Sequence, residues 1–130
     1  MKSHMMVGVW KLVNIANTDK DGNALRSSYG PEKYGLITFN ENNRMMVVIS
    51  DGRDALPLGR AREYSSYCGR FTFDGTTLIT KVDGSIPLDR IGTDQVRPVR
   101  FDGDRVILTA PPVEIDGVIN YRDLTWEKII

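Results

Sequence analysis

Six Asp-Gly pairs punctuate this chain, at positions 21, 51, 74, 83, 102 and 116. Asp-Gly between β-forming residues is a tight-turn signal, because both residues tolerate the left-handed backbone that short hairpins require. Turns this frequent leave no room for a long helix. The intervening stretches read instead as strands: WKLVNIAN, YGLITFN, RMMVVIS, SYCGRFTF, TTLITKV, GTDQVRPVRF, VILTA and VINYRDLTWEKI. Glu41-Asn42-Asn43 supplies a further hairpin between the second and third of these. The expected architecture is all-β, an eight- to nine-stranded antiparallel up-and-down meander, sandwich or barrel. Closure into a barrel removes exposed edge strands, and eight strands enclose room for one small ligand, so a barrel with an internal cavity is favoured.

The less regular stretches are expected to connect these strands. NALRSSY reads as a short strand ended by Gly30-Pro31. Residues 51–60 carry too much Gly and Pro for a strand, and residues 61–66 suit a helical turn. SIPLDRI reads as a linker that begins where a strand ends at Asp83-Gly84, and Ala110-Pro111-Pro112 is expected to break its strand.

One domain, residues 6–130, is the simplest division of 130 residues. Residues 1–5 are set aside as disordered or tag-derived, Ser3-His4-Met5 having the look of a vector remnant. Lys plus Arg and Asp plus Glu both number 17, and this balance argues against a nucleic-acid partner, which needs a basic excess. No apolar run approaches the roughly 20 residues of a membrane span. A single cysteine, Cys68, allows no internal disulfide, so a reducing, cytoplasmic setting is the default. One His and one Cys make a zinc site improbable, no inward carboxylate pair is apparent, and no P-loop, Gly-x-Gly-x-x-Gly or Gly-x-Ser-x-Gly motif is present. Neither metal nor cofactor is therefore expected. The expected partner is a small hydrophobic molecule, and the chain is expected to be a monomer or a homodimer.

The hairpin over residues 92–112 carries the most functional information. Period 2 places Val99 and Phe101 on one face with Arg97, Gln95 and Thr93. An inward side that is polar at one end and apolar at the other suits a pocket wall better than a dry core. Arg97 then has two readings. It anchors a carboxylate, enolate or carbonyl oxygen of a bound molecule, or it caps the Trp10 ring by cation–π contact and bonds carbonyls at the barrel end. Tyr67, on the face of Phe71 and Phe73, is the candidate acid or oxyanion donor beside it, with core packing as the alternative. Asn120 and Arg122 share the Leu124–Trp126 face, Tyr29 precedes Gly30-Pro31, and Met45 sits with Val47 and Ile49. The candidate catalytic residues are thus Arg97 and Tyr67, and the candidate ligand-binding residues Tyr29, Met45, Gln95, Asn120 and Arg122. In the first strand, Trp10, Leu12, Asn14 and Ala16 are expected to share one face, with Lys11, Val13 and Ile15 on the other, and Trp10 to plug the core.

Gly8-Val9-Trp10 resembles the Gly-x-Trp opening of lipocalins. GVWKLV, SYGP with YGLITFN, YSSYCGRFTFDG, DGSIPLDRIGTDQVR, DGDRVILTAPP and DLTWE follow in order. Together they resemble the small bacterial and fungal lipocalin-like domain family over nearly the whole chain. The resemblance implies a lipocalin-type, calycin-like β-barrel with a ligand cavity, a fold that houses both carriers and enzymes. Members of the family often carry histidine in the strand matching Thr80-Lys81; this chain does not, so a role for imidazole there is absent. Three functions remain open: a carrier of a small hydrophobic oxygenated metabolite, a cofactor-free isomerase, cyclase or lyase of a biosynthetic pathway acting on one, and a filled barrel that works through its surface.

Overall fold

The computed structural model describes residues 3–130. Nine strands follow one another: β1 (Gly8–Thr18), β2 (Ala24–Leu25), β3 (Lys33–Phe39), β4 (Arg44–Asp51), β5 (Tyr64–Phe73), β6 (Thr77–Ile86), β7 (Asp94–Asp102), β8 (Arg105–Ile115) and β9 (Val118–Lys128). The short β2 pairs only with the end of β1. The other eight form one antiparallel sheet in sequence order, and β9 returns to β1 from Trp10↔Lys128 to Thr18↔Tyr121 to close it. The all-β, eight-stranded barrel expected from the turn spacing is the fold observed.

Not every Asp-Gly pair is a hairpin. Those at 74, 102 and 116 join consecutive strands, with Gly75, Gly103 and Gly117 all at positive φ, and Asp21-Gly22 turns the chain between β1 and β2. Asp51 instead ends β4, and Asp83-Gly84 lies within β6, at the register shift opposite Cys68 and Gly69. That bulge absorbs a residue without ending the strand, so β6 runs on to Ile86 and swallows the start of the expected linker. The same device carries β8 through Pro111-Pro112, where the register against β9 shifts between Ala110 and Val113 rather than breaking. Proline lacks a donor, and a bulge is where a ladder can spare one. Of NALRSSY only two residues are strand, and residues 61–63 lead straight into β5 without a helical turn.

A bulge also overturns the face assignment in β1. Its pairing with β9 slips between Leu12 and Asn14. Trp10 and Leu12 point inward as expected, but beyond the slip Ile15 and Asn17 are buried while Asn14 and Ala16 are exposed. One extra residue reverses every side chain that follows.

The core fills one half of the barrel. Trp10, Phe39, Met45, Phe71, Phe73, Leu78 and Val106 are each at most 3% exposed. Phe39 and Phe71 meet edge to face at 4.9 Å between ring centroids, a favoured geometry for aromatic quadrupoles. Trp10 donates its indole N–H to the Met6 carbonyl at 2.9 Å, and Met6 is fully buried. Of the five residues set aside in the sequence, 1 and 2 lie outside the described residues, and Ser3–Met5 form a 3-10 turn with Ser3 buried. The cation over the Trp10 ring is Lys128, at 5.7 Å, not Arg97. This half is the base of the barrel; the loops over residues 19–32, 52–63 and 87–93 surround the opposite half, the mouth.

Candidate functional site

In the mouth half the inward positions change character. β4 and β5 run antiparallel, so Val47 pairs with Tyr67 and Ile49 with Ser65. Toward the mouth β5 offers hydroxyls where its other end offers Phe71 and Phe73. β7 contributes Arg97, two residues from buried Val99, and β9 contributes Arg122 and Leu124 next to buried Trp126. These side chains, with Ile15, Asn17, Tyr29, Leu108, Ala110 and Arg90, line a chamber of about 80 Å³. Volumes of roughly 300–1,000 Å³ are usual where a whole drug-sized ligand is enclosed. The chamber suits a head group instead.

Its charge is one-sided. Three guanidiniums line it, those of Arg90, Arg97 and Arg122, and no carboxylate does. None of the three joins an ion pair among the described residues. Their hydrogen bonds go to neutral acceptors. Arg97 donates to the Gln95 side-chain carbonyl at 2.8 Å and to the Val96 carbonyl at 3.0 Å. Arg122 donates to the Pro111 carbonyl at 3.1 Å, and Arg90 donates to the Ser65 hydroxyl at 2.7 Å. Arg90 also lies 5.6 Å over the Tyr67 ring. The Nε of Arg122 and the Nε1 of Trp126 are buried donors with no acceptor. Such donors are rare in folded proteins because each costs its desolvation.

Burial lowers the pKa of both Arg97 and Arg122, and the neighbouring guanidiniums push in the same direction. A guanidinium nevertheless keeps its proton, so the chamber holds cations at an electrostatic cost. Burial raises the pKa of Tyr67 and of Tyr29. Arg97 and Arg90 oppose the rise at Tyr67, and Arg90 and Arg122 oppose it at Tyr29. Both phenols stay neutral at physiological pH and donate rather than accept protons. The lining contains no carboxylate, imidazole or thiol, and so no conventional general base. The chamber can bind negative charge, stabilise charge that develops on an oxygen, and deliver a proton.

The residues singled out in the sequence are placed unevenly. Arg97, Tyr67, Tyr29 and Arg122 come together around the chamber. Gln95 does not line it and instead orients Arg97. Asn120, fully enclosed, accepts a hydrogen bond from Asn17 at 3.2 Å and donates to the Val118 carbonyl, so Asn17 rather than Asn120 faces the space. Met45 packs in the base against the aromatic cluster and does not reach the chamber. Arg90, Ser65, Asn17 and Ile15 also line the chamber and are not among those candidates. Arg90 stands on a 3-10 turn, Leu88–Arg90, where no period-2 rule applies; Ile15 and Asn17 lie beyond the β1 bulge. Ser65 shares parity with Tyr67 and was legible there.

A family model described as a lipocalin-like domain matches residues 7–129. No curated protein matches the chain, and no solved structure does.

Proposed function

The chain belongs to the lipocalin-like domain family, and from that premise we propose that its barrel binds a small oxygenated molecule through an anionic or electron-rich head group seated among Arg90, Arg97, Arg122 and Tyr67. The observation that carries this reading is the lining itself, with three half-buried cations, two orphaned buried donors and no counter-charge. A bound oxyanion would satisfy those donors and offset the cost of burying the cations. Trp126, Leu108, Val47 and Ile37 would receive the apolar carbons next to it.

If the molecule is transformed, the chemistry is cofactor-free and electrophilic. Arg97 and the neutral Tyr67 phenol would stabilise an enolate or alkoxide oxygen and protonate it, as an isomerase, cyclase or lyase requires. The absence of a lining base confines such a reaction to substrates that need no protein group to remove a proton. The same absence favours the second reading, a carrier that holds its ligand unchanged.

Hexanoate, hexanamide and hexanol, titrated into isotopically labelled protein and followed by amide chemical shifts, test the reading. The expected result is saturable binding of hexanoate with shifts centred on β5, β7 and β9, at least about tenfold weaker binding of the two neutral probes, and loss of the hexanoate response in a folded Arg97→Met variant. Equal response to all three probes, or hexanoate binding unaffected by Arg97→Met, overturns it. Native mass spectrometry of protein from its own host would then identify the retained molecule.

A further inference from the structure

The chamber does not end at the mouth. Ile15, Ser27 and Ser28 line both it and a wider outer cleft of about 1070 Å³, formed by the loops after β1 and β4 and the β8–β9 turn. The outer cleft is also basic: Arg26, Lys33, Arg53 and Arg60 line it, against Glu63 and Asp116. The two compartments together hold seven of the chain's 17 basic residues and two of its 17 acidic ones, in a protein of zero net charge. Of the four outer cations only Arg53 has a carboxylate within ion-pair distance, Asp51; Arg26, Lys33 and Arg60 have none among the described residues.

Resting on the head-group reading above, we infer that the ligand is elongated and carries two separated anionic groups, the first among the inner arginines and the second in the outer cleft at Arg26, Lys33 and Arg60, with its carbon chain passing Ile15, Ser27 and Ser28. The inner chamber is too small for a whole ligand, and the residues shared by the two linings mark a way out for the remainder. A second anionic group is the one ligand chemistry that would use the outer cations as contacts, since Arg26, Lys33 and Arg60 have no carboxylate partner of their own among the described residues. A carboxylate or a phosphate monoester meets the chemistry of the outer site equally well.

Calorimetric titration at fixed ionic strength separates the possibilities. The probes are the straight-chain alkanoates from six to twelve carbons and the α,ω-alkanedioates of the same lengths, with the alkyl phosphate acids of the best length as a further arm. At a preferred length the dioate is expected to bind roughly tenfold more tightly than the alkanoate, from one added charge-assisted contact. An Arg26→Gln/Arg60→Gln double variant is expected to lose that preference and keep its affinity for the alkanoate; both side chains are exposed and unpaired, so the fold should survive. Lys33→Gln, tested separately, should lose part of it. Dioate and alkanoate of equal affinity at every length overturn the inference while leaving the inner site standing, as does a preference untouched by the double variant. A variant that slows association without changing the affinity ratio also overturns it, since the outer cations would then only steer. Failure of every alkanoate and dioate to bind overturns the inner site as well.

Discussion

The base and the mouth of this barrel are made from the same strands and obey opposite rules. In the base aromatic packing dominates: the Trp10 indole bonds the Met6 carbonyl, and the rings of Phe39, Phe71 and Phe73 fill the space between strands. At the floor of the chamber, where the two halves meet, the second tryptophan, Trp126, is as deeply buried as the first, yet its N–H has no acceptor. At the base Arg44 pairs with Asp83 and Arg105 with Glu127, whereas Arg90, Arg97 and Arg122 around the chamber join no ion pair among the described residues and disfavour one another's charge. A half that satisfies itself contributes stability. A half that leaves donors open spends stability and gains a site.

Removal of packing from the base should have the largest effect. Phe71→Ala is expected to cost about 3–5 kcal/mol, measured by urea unfolding, because the side chain is wholly enclosed and touches a neighbouring ring. A loss under about 1 kcal/mol would mean that the base is not the stabilising half.

The contrast was only partly legible beforehand. Along β5, β7 and β9 period 2 holds as far as the site, so Tyr67, Arg97 and Arg122 fall on the same face as Phe71, Val99 and Trp126 from parity alone. It fails at the end of β7, where Phe101, expected inward, is 39% exposed because the strand is running out into its turn. Met45 also obeys parity, but parity says which face a side chain takes and not how far along the barrel it lies; the end at which β4 starts puts Met45 in the base. In β1 a bulge reversed the count, and no residue type at Val13 announces it. Asp83-Gly84 has the composition of a turn and sits in a ladder: neither residue takes the left-handed backbone, and the glycine instead makes room for Cys68, whose Sγ would lie 2.9 Å from a Cβ at position 84. Arg90 was hidden for a different reason: its position depends on how a connection folds back over the mouth, which local pattern does not encode.

The next largest effect is expected at a mouth residue that does not face the chamber. Asp51 is 2% exposed, accepts hydrogen bonds from the Arg53 guanidinium and backbone N–H, and holds the start of the loop over residues 52–63. Arg62 adds bonds to the Asp51 and Arg53 carbonyls. Asp51→Asn should lower Tm by roughly 5 °C while sparing the base, as hydrogen exchange confined to this loop would show. The Arg53 side chain holds the Asp51 carboxyl below its ordinary value of 3.8. A depressed folded value means stabilisation that is complete above about pH 4 and is lost as pH falls through the lowered value. The acid limb of the wild-type stability curve should therefore flatten in Asp51→Asn, and an unchanged limb would remove this ion pair from the account.

Tyr67→Phe should be smaller still in stability, since almost no volume is lost. In a carrier its effect on ligand binding should stay within about tenfold; in an enzyme that uses the phenol, turnover should fall about 100-fold or more with binding far less changed. At alkaline pH the sign is set by burial. The folded pKa of Tyr67 is raised above 10.0, so its contribution is intact below that value and disappears as pH climbs through the raised one. Phenolate absorbance recorded against pH should show two tyrosines ionising late, Tyr67 and Tyr29, and Tyr67→Phe should remove one of the two and leave the other. A late component undiminished in the variant would mean that Tyr67 is not one of the two.

The most direct test of the division between the two halves is the melting temperature of an Arg97→Met/Arg122→Met double variant, measured without ligand beside wild type. If the mouth cations are held for binding, removing two like charges that burial disfavours should leave Tm unchanged or raise it by a few degrees, and the hexanoate response should vanish in the same protein. A fall in Tm of about 10 °C or more, comparable with that of Phe71→Ala, would show that these arginines hold the barrel together and would contradict the account.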